Sequence, residues 1–593
     1  MPNHGRSGAC LTCKRRRVKC DEARPACSPC QRLRLCCGGY GKRFHFRDET
    51  SKFLDTNGTG GCKKRHNHVT AQCPVQKFAR TSLSAEPSRS LLTKDDVAVP
   101  FFLVHCAGLG RSLYAARGFF ETLIPAYSSQ SQGSALSLAV SAVAEKVFAA
   151  CRRDEKAVSW DIARPYSARY AEAASVLRAT IDHPKERHRP ATALAMLSMH
   201  LYESITAIGE SRQATPIHHD GLLSLLPFIT VSDRLDGLIN PYVQNYVVHL
   251  EVSSALRQAR PVNTIVKKYV TNTSGSTVEP GNISLSLDKM GAVVAELYAR
   301  HVQASASNPH AVPSRDDRRD WIIEAKRVDK LLCDWTHNVP NHWQPLRLTR
   351  GRDFDVSIPS YQSTCEVYPS CQLATIWNLW RTLRLRLLRI IVGSVQQLSP
   401  SSSRDELDSG NFSGTMAAEL TAQDDLIQEL IGGICFSIPF FLGNRTRPIH
   451  LHDFTDEEIM FPSFHSVGTE TAKIASRRQD GDDTAMFEDE HRRHVIVNGA
   501  WHAMSPLSTL LTITSDQAVA SSLQPEQKSW ICEQLDRVAD LLRLPKARTQ
   551  DAASSSMEGD NFLPSPVLNV RNEGSAEYLA ERIQKGAFFM SGP

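Results

Sequence analysis

The 593-residue chain has little that would place it in a secretory compartment, in a membrane or among the common enzyme classes. It opens on no apolar run, so a secretory leader is not expected, and no stretch of about twenty apolar residues suggests a membrane span. Regular disulfide spacing is missing too. Nine of the 16 cysteines are scattered singly beyond residue 37, which fits a reducing compartment better than a secreted disulfide scaffold. Sequons such as those at Asn57 and Asn444 are then chance matches. The patterns G-x-S-x-G, the Walker P-loop, H-E-x-x-H and G-x-G-x-x-G do not occur. Gly108-Leu109-Gly110 starts the last of them, but Leu113 stands where its third glycine belongs. The chain is therefore not expected to be an enzyme.

Acidic residues are scarce at one end only. Residues 1–80 carry 18 Lys/Arg against 5 Asp/Glu, a net of +13, whereas the remainder carries 51 against 58, a net of −7. The overall +6 conceals a basic arm on a mildly acidic body, which points to a polyanion partner at the N-terminus.

That arm holds the other seven cysteines. Residues 10–37 read C-x2-C-x6-C-x6-C-x2-C-x6-C, so Cys10, Cys13 and Cys20 are repeated as Cys27, Cys30 and Cys37. Six residues between the second and third thiols of each half span about two helical turns and bring both sulfurs to one side. Zinc takes four ligands in a tetrahedron, so two ions need eight sulfur positions from six sulfurs and two thiolates must bridge. The symmetric choice is Cys10 and Cys27. Six thiolates and two zinc ions leave a residual negative charge, which Lys14, Arg15, Arg16, Arg17 and Lys19 offset while still offering cations outward. Cys36 is adjacent to Cys37; the internal repeat favours Cys37 as the sixth ligand and leaves Cys36 without a role.

The six cysteines, the basic run ending Arg17-Val18-Lys19-Cys20, Asp21, the Pro25-Ala26-Cys27 step and the Cys37-Gly38-Gly39-Tyr40 exit resemble the DNA-binding domain of the fungal six-cysteine binuclear zinc cluster transcription factors. The resemblance implies two zinc ions bridged by the first and fourth cysteines, and double-stranded DNA as partner, read at a G·C-rich triplet, typically CGG. It implies a base contact from the end of the first helix, hence Arg17 with Arg16 beside it. Lys14, Arg15, Lys19, Arg32, Arg34, Lys42 and Arg43 suit phosphate contacts, which add affinity without sequence information. Relatives commonly carry Lys where Arg17 stands, so the triplet can depart from CGG. Lys14–Lys19 and Lys63-Lys64-Arg65 are candidate nuclear import signals. Cys62, His66, His68 and Cys73 match no common zinc spacing and are read as incidental.

Residues 50–95 are rich in Gly, Asn, Ser, Thr and basic residues and read as a flexible linker without a sustained heptad, so any homodimer contact is expected elsewhere. From about residue 96 the texture is helical. Leu136, Val140, Val143 and Val147 mark one buried stripe, as do Tyr170, Ala174, Leu177 and Ile181; Leu194, Leu197, Leu201 and Ile205; and Ile376, Trp380, Leu383 and Leu387. Alternating β patterns are scarce and no period of about 30–45 residues recurs. Segments 396–415 and 475–490 read as mobile insertions, and 546–570 as disordered. His218-His219 read as a helix-start pair at the surface. Arg381, Arg384, Arg386 and Arg389 read as a solvated helix flank rather than an anion site.

The stretches Ser167–Arg178, Pro216–Leu223, Trp377–Arg381, Ile434–Gly443 and Trp501–Leu507 are similar to the fungal-specific transcription factor regulatory domain, in the expected order over roughly residues 100–540. That resemblance implies a helical region involved in regulation, often of metabolic or secondary-metabolite gene sets.

The expectation is thus a mainly α protein: a binuclear zinc-cluster DNA-binding domain at 8–40, a basic linker at 41–95, an all-α regulatory domain at 96–545 and a largely disordered tail at 546–593. Its expected function is sequence-specific regulation of RNA polymerase II genes in the nucleus, with the transcription machinery as further partner. A thiol-rich metal-buffering or redox-sensing protein is the alternative, and the clustered cations have no place in it.

Overall fold

The computed structural model describes residues 9–21, 23, 27–33, 35, 37, 94–107, 119–151, 168–210, 212–229, 234–272, 283–306, 313–398, 410–463, 488–544 and 575–585. The chain divides into two compact units, Met1–Glu86 and Pro87–Pro593. Among the described residues the first holds two short helices, α1 (Leu11–Arg16) and α2 (Ser28–Arg32).

The second unit is a helical body. In chain order its helices are α3 (Lys94–Phe102), α4 (Phe119–Ser128), α5 (Ala135–Cys151), α6 (Ala168–Asp182), α7 (Pro190–Gly209), α8 (Ile217–Leu225), α9 (Arg234–Gln258), α10 (Thr264–Asn272), α11 (Ile283–Ala306), α12 (Arg315–Asn338), α13 (Cys371–Leu398), α14 (Gly410–Leu442), α15 (Glu488–Thr514), α16 (Gln517–Ala520), α17 (Pro525–Leu542) and α18 (Ser575–Lys585). The expected stripes are its core. Leu136, Val140, Val143 and Val147 are buried on α5, and Leu194, Leu197, Leu201 and Ile205 on α7, while the α6 stripe is half-buried apart from Leu177. α12 shows the local logic most fully. Ser314 accepts the Asp317 N–H at 3.0 Å and donates its own N–H to the Asp317 carboxylate at 3.1 Å, a reciprocal cap. Ala325, Val328, Leu332 and Trp335 then face inward, and the Trp335 indole donates to the Ile283 carbonyl at 3.0 Å.

α13 is the central helix, touching α11, α12, α14 and α15. Its arginines overturn the expectation of a solvated flank. Arg381, Arg384 and Arg386 are only 5%, 7% and 5% exposed. Arg381 meets Glu366 at 2.6 Å, Arg384 meets Asp329 at 2.7 Å, and Arg389 meets Asp516 at 2.6 Å. A helix surrounded on all sides has no solvated face, so Arg381, Arg384 and Arg389 are matched across the core, while Arg386 donates its Nη1 to the Thr382 carbonyl at 3.3 Å. The one hairpin among the described residues delivers one of these partners. β1 (Leu346–Thr349) pairs antiparallel with β2 (Thr364–Val367), Leu346 opposite Val367 and Thr349 opposite Thr364. Glu366 on β2 is buried and also accepts the Tyr368 hydroxyl at 2.7 Å.

Three further differences from the sequence reading have physical causes. Thr421–Leu442 within α14 is long and apolar enough to cross a membrane by length and composition, but most of it is buried inside the body. It is a core helix, and α15 approaches it at Gly499, where a Cβ would stand 2.0 Å from the Phe441 carbonyl oxygen. α14 also begins at Gly410, inside the segment expected to be a mobile insertion. Finally, α18 lies in the expected disordered tail, yet Ala576, Leu579, Ala580 and Ile583 are buried at helical spacing, and the helix packs on α15 and α17. Residues 399–409, 464–487 and 545–574 lie outside the described residues.

Candidate metal centre and nucleic-acid interface

α1 and α2 are too short to persist by helix propensity alone. Each is closed by the same hydrogen bond: the Val18 N–H donates to the Cys13 carbonyl at 3.2 Å, and the Leu35 N–H to the Cys30 carbonyl at 2.9 Å. Donor and acceptor shift by the period of the cysteine repeat. The first closure puts Arg17 in the left-handed region, at φ 53°, which terminates α1 and costs a non-glycine residue roughly 1–2 kcal/mol. A second tie joins the halves, because both oxygens of the Asp21 carboxylate accept the Ser28 N–H at 3.2 Å. Hydrogen bonds from Ser28 hold that carboxyl below the usual range.

The six sulfurs gather into two overlapping quartets, Cys10, Cys13, Cys20 and Cys27 on one side and Cys10, Cys27, Cys30 and Cys37 on the other. Within each quartet the sulfurs lie within 4.8 Å of one another. Cys10 and Cys27 form the shared edge, with their Sγ atoms 3.6 Å apart. Cys13 lies 3.6 Å from Cys27, Cys30 lies 3.8 Å from Cys10, and Cys37 lies 4.0 Å from Cys27. Sulfurs placed about 2.3 Å from a tetrahedral zinc are separated by roughly 3.8 Å, so the spacing fits two ions with a common edge. The Cys13 N–H donates to the Cys10 sulfur at 3.3 Å and the Cys10 N–H to the Cys20 sulfur at 3.5 Å, the bonds a thiolate accepts best. Desolvation pushes the Cys13 thiol up to about 12 and raises Cys27 and Cys30 as well. Such a group of thiols ionises together only around cations.

Residues 8–45 match the fungal Zn(2)-Cys(6) binuclear cluster domain. The binuclear cluster takes two zinc ions. Three curated relatives match part of the chain. A Candida albicans protein named sterol uptake control protein 2 is 38% identical over 79 residues, 13% of this chain and 11% of its own length. Pestheic acid cluster transcriptional regulator 3 of Pestalotiopsis fici is 49% identical over 49 residues, 8% and 9% of the two chains. The C6 finger domain transcription factor hasF of Aspergillus fumigatus is 75% identical over 29 residues, 5% and 4%. The chain thus spans about a tenth or less of the relatives it matches, and no solved structure matches it.

Around the cluster, Arg16, Arg17, Val18 and Lys19 are exposed on one corner and Arg32 on α2. The side chains of Lys14 and Arg15, and residues Arg34, Cys36, Lys42, Arg43, Cys62 and Cys73, lie outside the described residues.

In the body, His218-His219 do begin α8, but not at the surface. His219 is 7% exposed and its Nε2 bonds the buried Glu251 carboxylate at 2.7 Å. His218 bonds the Tyr170 hydroxyl at 2.8 Å. Glu251 also takes Arg260 at 2.6 Å and the Asn263 N–H at 2.7 Å. Burial alone would raise its carboxyl, but the bonds from Arg260 and His219 reverse that and hold it at about 2. Sequence reasoning missed this group because Glu251 is 32 residues from His219.

Proposed function

We propose that the chain is a zinc-dependent, sequence-specific DNA-binding transcription regulator. The observation that carries this reading is the pair of sulfur quartets sharing Cys10 and Cys27, with exposed Arg16, Arg17 and Lys19 immediately after α1. In this reading Cys10, Cys13, Cys20, Cys27, Cys30 and Cys37 are the ligands and Cys10 and Cys27 bridge. Arg17 meets a guanine edge, where a bidentate contact supplies about 1–3 kcal/mol of discrimination. Lys14, Arg15, Arg16 and Lys19 neutralise phosphates. The left-handed backbone at Arg17 supports the assignment, since it turns the chain out of the helix at that position.

The domain limits follow the same division of labour: a binuclear cluster within 8–40, a linker over 41–95, and a helical body from 96 that regulates and supplies any self-association. Regulation of RNA polymerase II genes in the nucleus is part of the proposal. A metabolic gene set is favoured because two relatives are named for sterol uptake and for the pestheic acid cluster.

The test is a gel shift of the full chain on a CGG-containing duplex and a scrambled duplex at fixed salt, with and without a zinc chelator, because non-specific binding by a basic arm is strongly salt-dependent. Zinc-dependent preference for the triplet is expected. Equal binding to both duplexes by zinc-loaded protein overturns the sequence-specific reading.

A further inference from the structure

A cavity of about 850 Å³ opens in the helical body between α8, α9, the end of α15 and α18. That volume lies in the range of small-molecule sites. Its charges are layered. Arg257 of α9 lines it, and the Nε and Nη2 atoms of that guanidinium are buried without a hydrogen-bond partner. Arg386, whose Nε is also unpartnered, lies close enough to lower the Arg257 pKa to about 10, after desolvation as the larger cause. The neighbouring arginines are matched, Arg260 by Glu251 and Arg389 by Asp516. Arg257 and Arg386 have no carboxylate partner among the described residues. Arg257 is thus a cation at the cavity wall with no direct counter-charge among the described residues, although Glu251 beside it offsets part of its field, and such a group is costly unless something anionic meets it. Asp220, Glu577 and Glu581 make the rest of its lining acidic, a combination that admits one small negative head at Arg257 and repels a polyanion. Leu223, Leu511 and Ala580 supply apolar wall for the remainder of a ligand.

We propose that this cavity binds a small organic monocarboxylate, its carboxylate directed toward Arg257 and its apolar part against Leu223, Leu511 and Ala580. The site rests on the helical body alone and is independent of the metal-centre reading. Because Arg257 belongs to α9 and Ala580 to α18, an occupant touches both walls and couples α18 to the rest of the body. A ligand that stabilises this contact lowers local opening of the C-terminal helix.

The test uses the zinc-loaded full chain and the fluorescent anion 8-anilinonaphthalene-1-sulfonate as reporter, with benzoate and neutral benzamide as competitors. Single-site reporter binding is expected, displaced by benzoate and not by benzamide, with slower hydrogen exchange in residues 575–585 when occupied. Arg257→Gln removes an unmatched charge and should fold while weakening reporter binding about tenfold or more. Ala580→Trp should fill the cavity and abolish binding. The proposal is overturned if folded Arg257→Gln binds as wild type, or if benzamide competes as well as benzoate. DNA binding, scored separately on the same samples, tells failure of this site from failure of the regulator reading.

Discussion

Shared and unshared thiols in the cluster should respond differently to removal. Cys10 belongs to both sulfur quartets and Cys20 to one. Cys20→Ala leaves the quartet of Cys10, Cys27, Cys30 and Cys37 whole, so one ion keeps four sulfurs. Cys10→Ala leaves both ions with three. Structural zinc contributes on the order of 10–16 kcal/mol of apparent folding free energy in small finger peptides. Loss of one ion therefore removes more than a segment of two five- to six-residue helices can replace from its own apolar burial. Metal content measured on reduced, desalted protein should therefore be two zinc per chain in wild type, close to one for Cys20→Ala and close to zero for Cys10→Ala in the presence of a moderate chelator. Cys27→Ala should behave as Cys10→Ala, and Cys13→Ala as Cys20→Ala. Equal metal content in Cys10→Ala and Cys20→Ala would refute the shared edge.

Arg17→Gly and Arg17→Ala should lose triplet discrimination alike, by ~1–3 kcal/mol, while only the glycine variant relieves the left-handed backbone at φ 53° and raises the metal-loaded melting midpoint of the N-terminal unit; gel shift and thermal melting read the two effects apart. Glu366→Ala strands the buried Arg381 guanidinium and should destabilise the body by ~3–5 kcal/mol in urea unfolding, whereas Glu366→Leu with Arg381→Met should recover most of the loss. Glu251 has a folded-state pKa of about 2, below its ordinary 4.5, so the stability it contributes is present above about pH 4.5 and is lost as pH falls toward 2. Glu251→Gln should flatten acid unfolding across that window, as followed by helical circular dichroism.

The metal centre was legible because its chemistry is local: six thiols within 28 residues can satisfy tetrahedral zinc in few ways, and the spacing itself selects Cys10 and Cys27 as the repeated first members. The helical class was equally legible from stripes such as Leu194 to Ile205. What escaped was charge burial. The partners of Arg384 and Arg389 lie 55 and 127 residues away, and no periodicity along α13 reveals a carboxylate on another helix. The same distance concealed Glu251 from His219. α18 was a different kind of omission, since Ala576, Leu579, Ala580 and Ile583 do show helical spacing, in a window short enough to be overlooked beside a polar run.

The contacts that close the helical body join distant parts of the chain. Asn498 donates to the His105 carbonyl across 393 residues, and Arg582 to the Ile208 carbonyl across 374. The binuclear cluster, by contrast, is complete by residue 37. On a ribosome adding about 5–20 residues per second, α18 follows the cluster's sulfurs by roughly half a minute to two minutes. During that interval the nascent chain already presents a metal-loaded, cationic head, while the α9 and α15 surfaces that α18 will cover stay open. The timing makes the late body, not the early cluster, the stage of biosynthesis most exposed to chaperones and to premature termination.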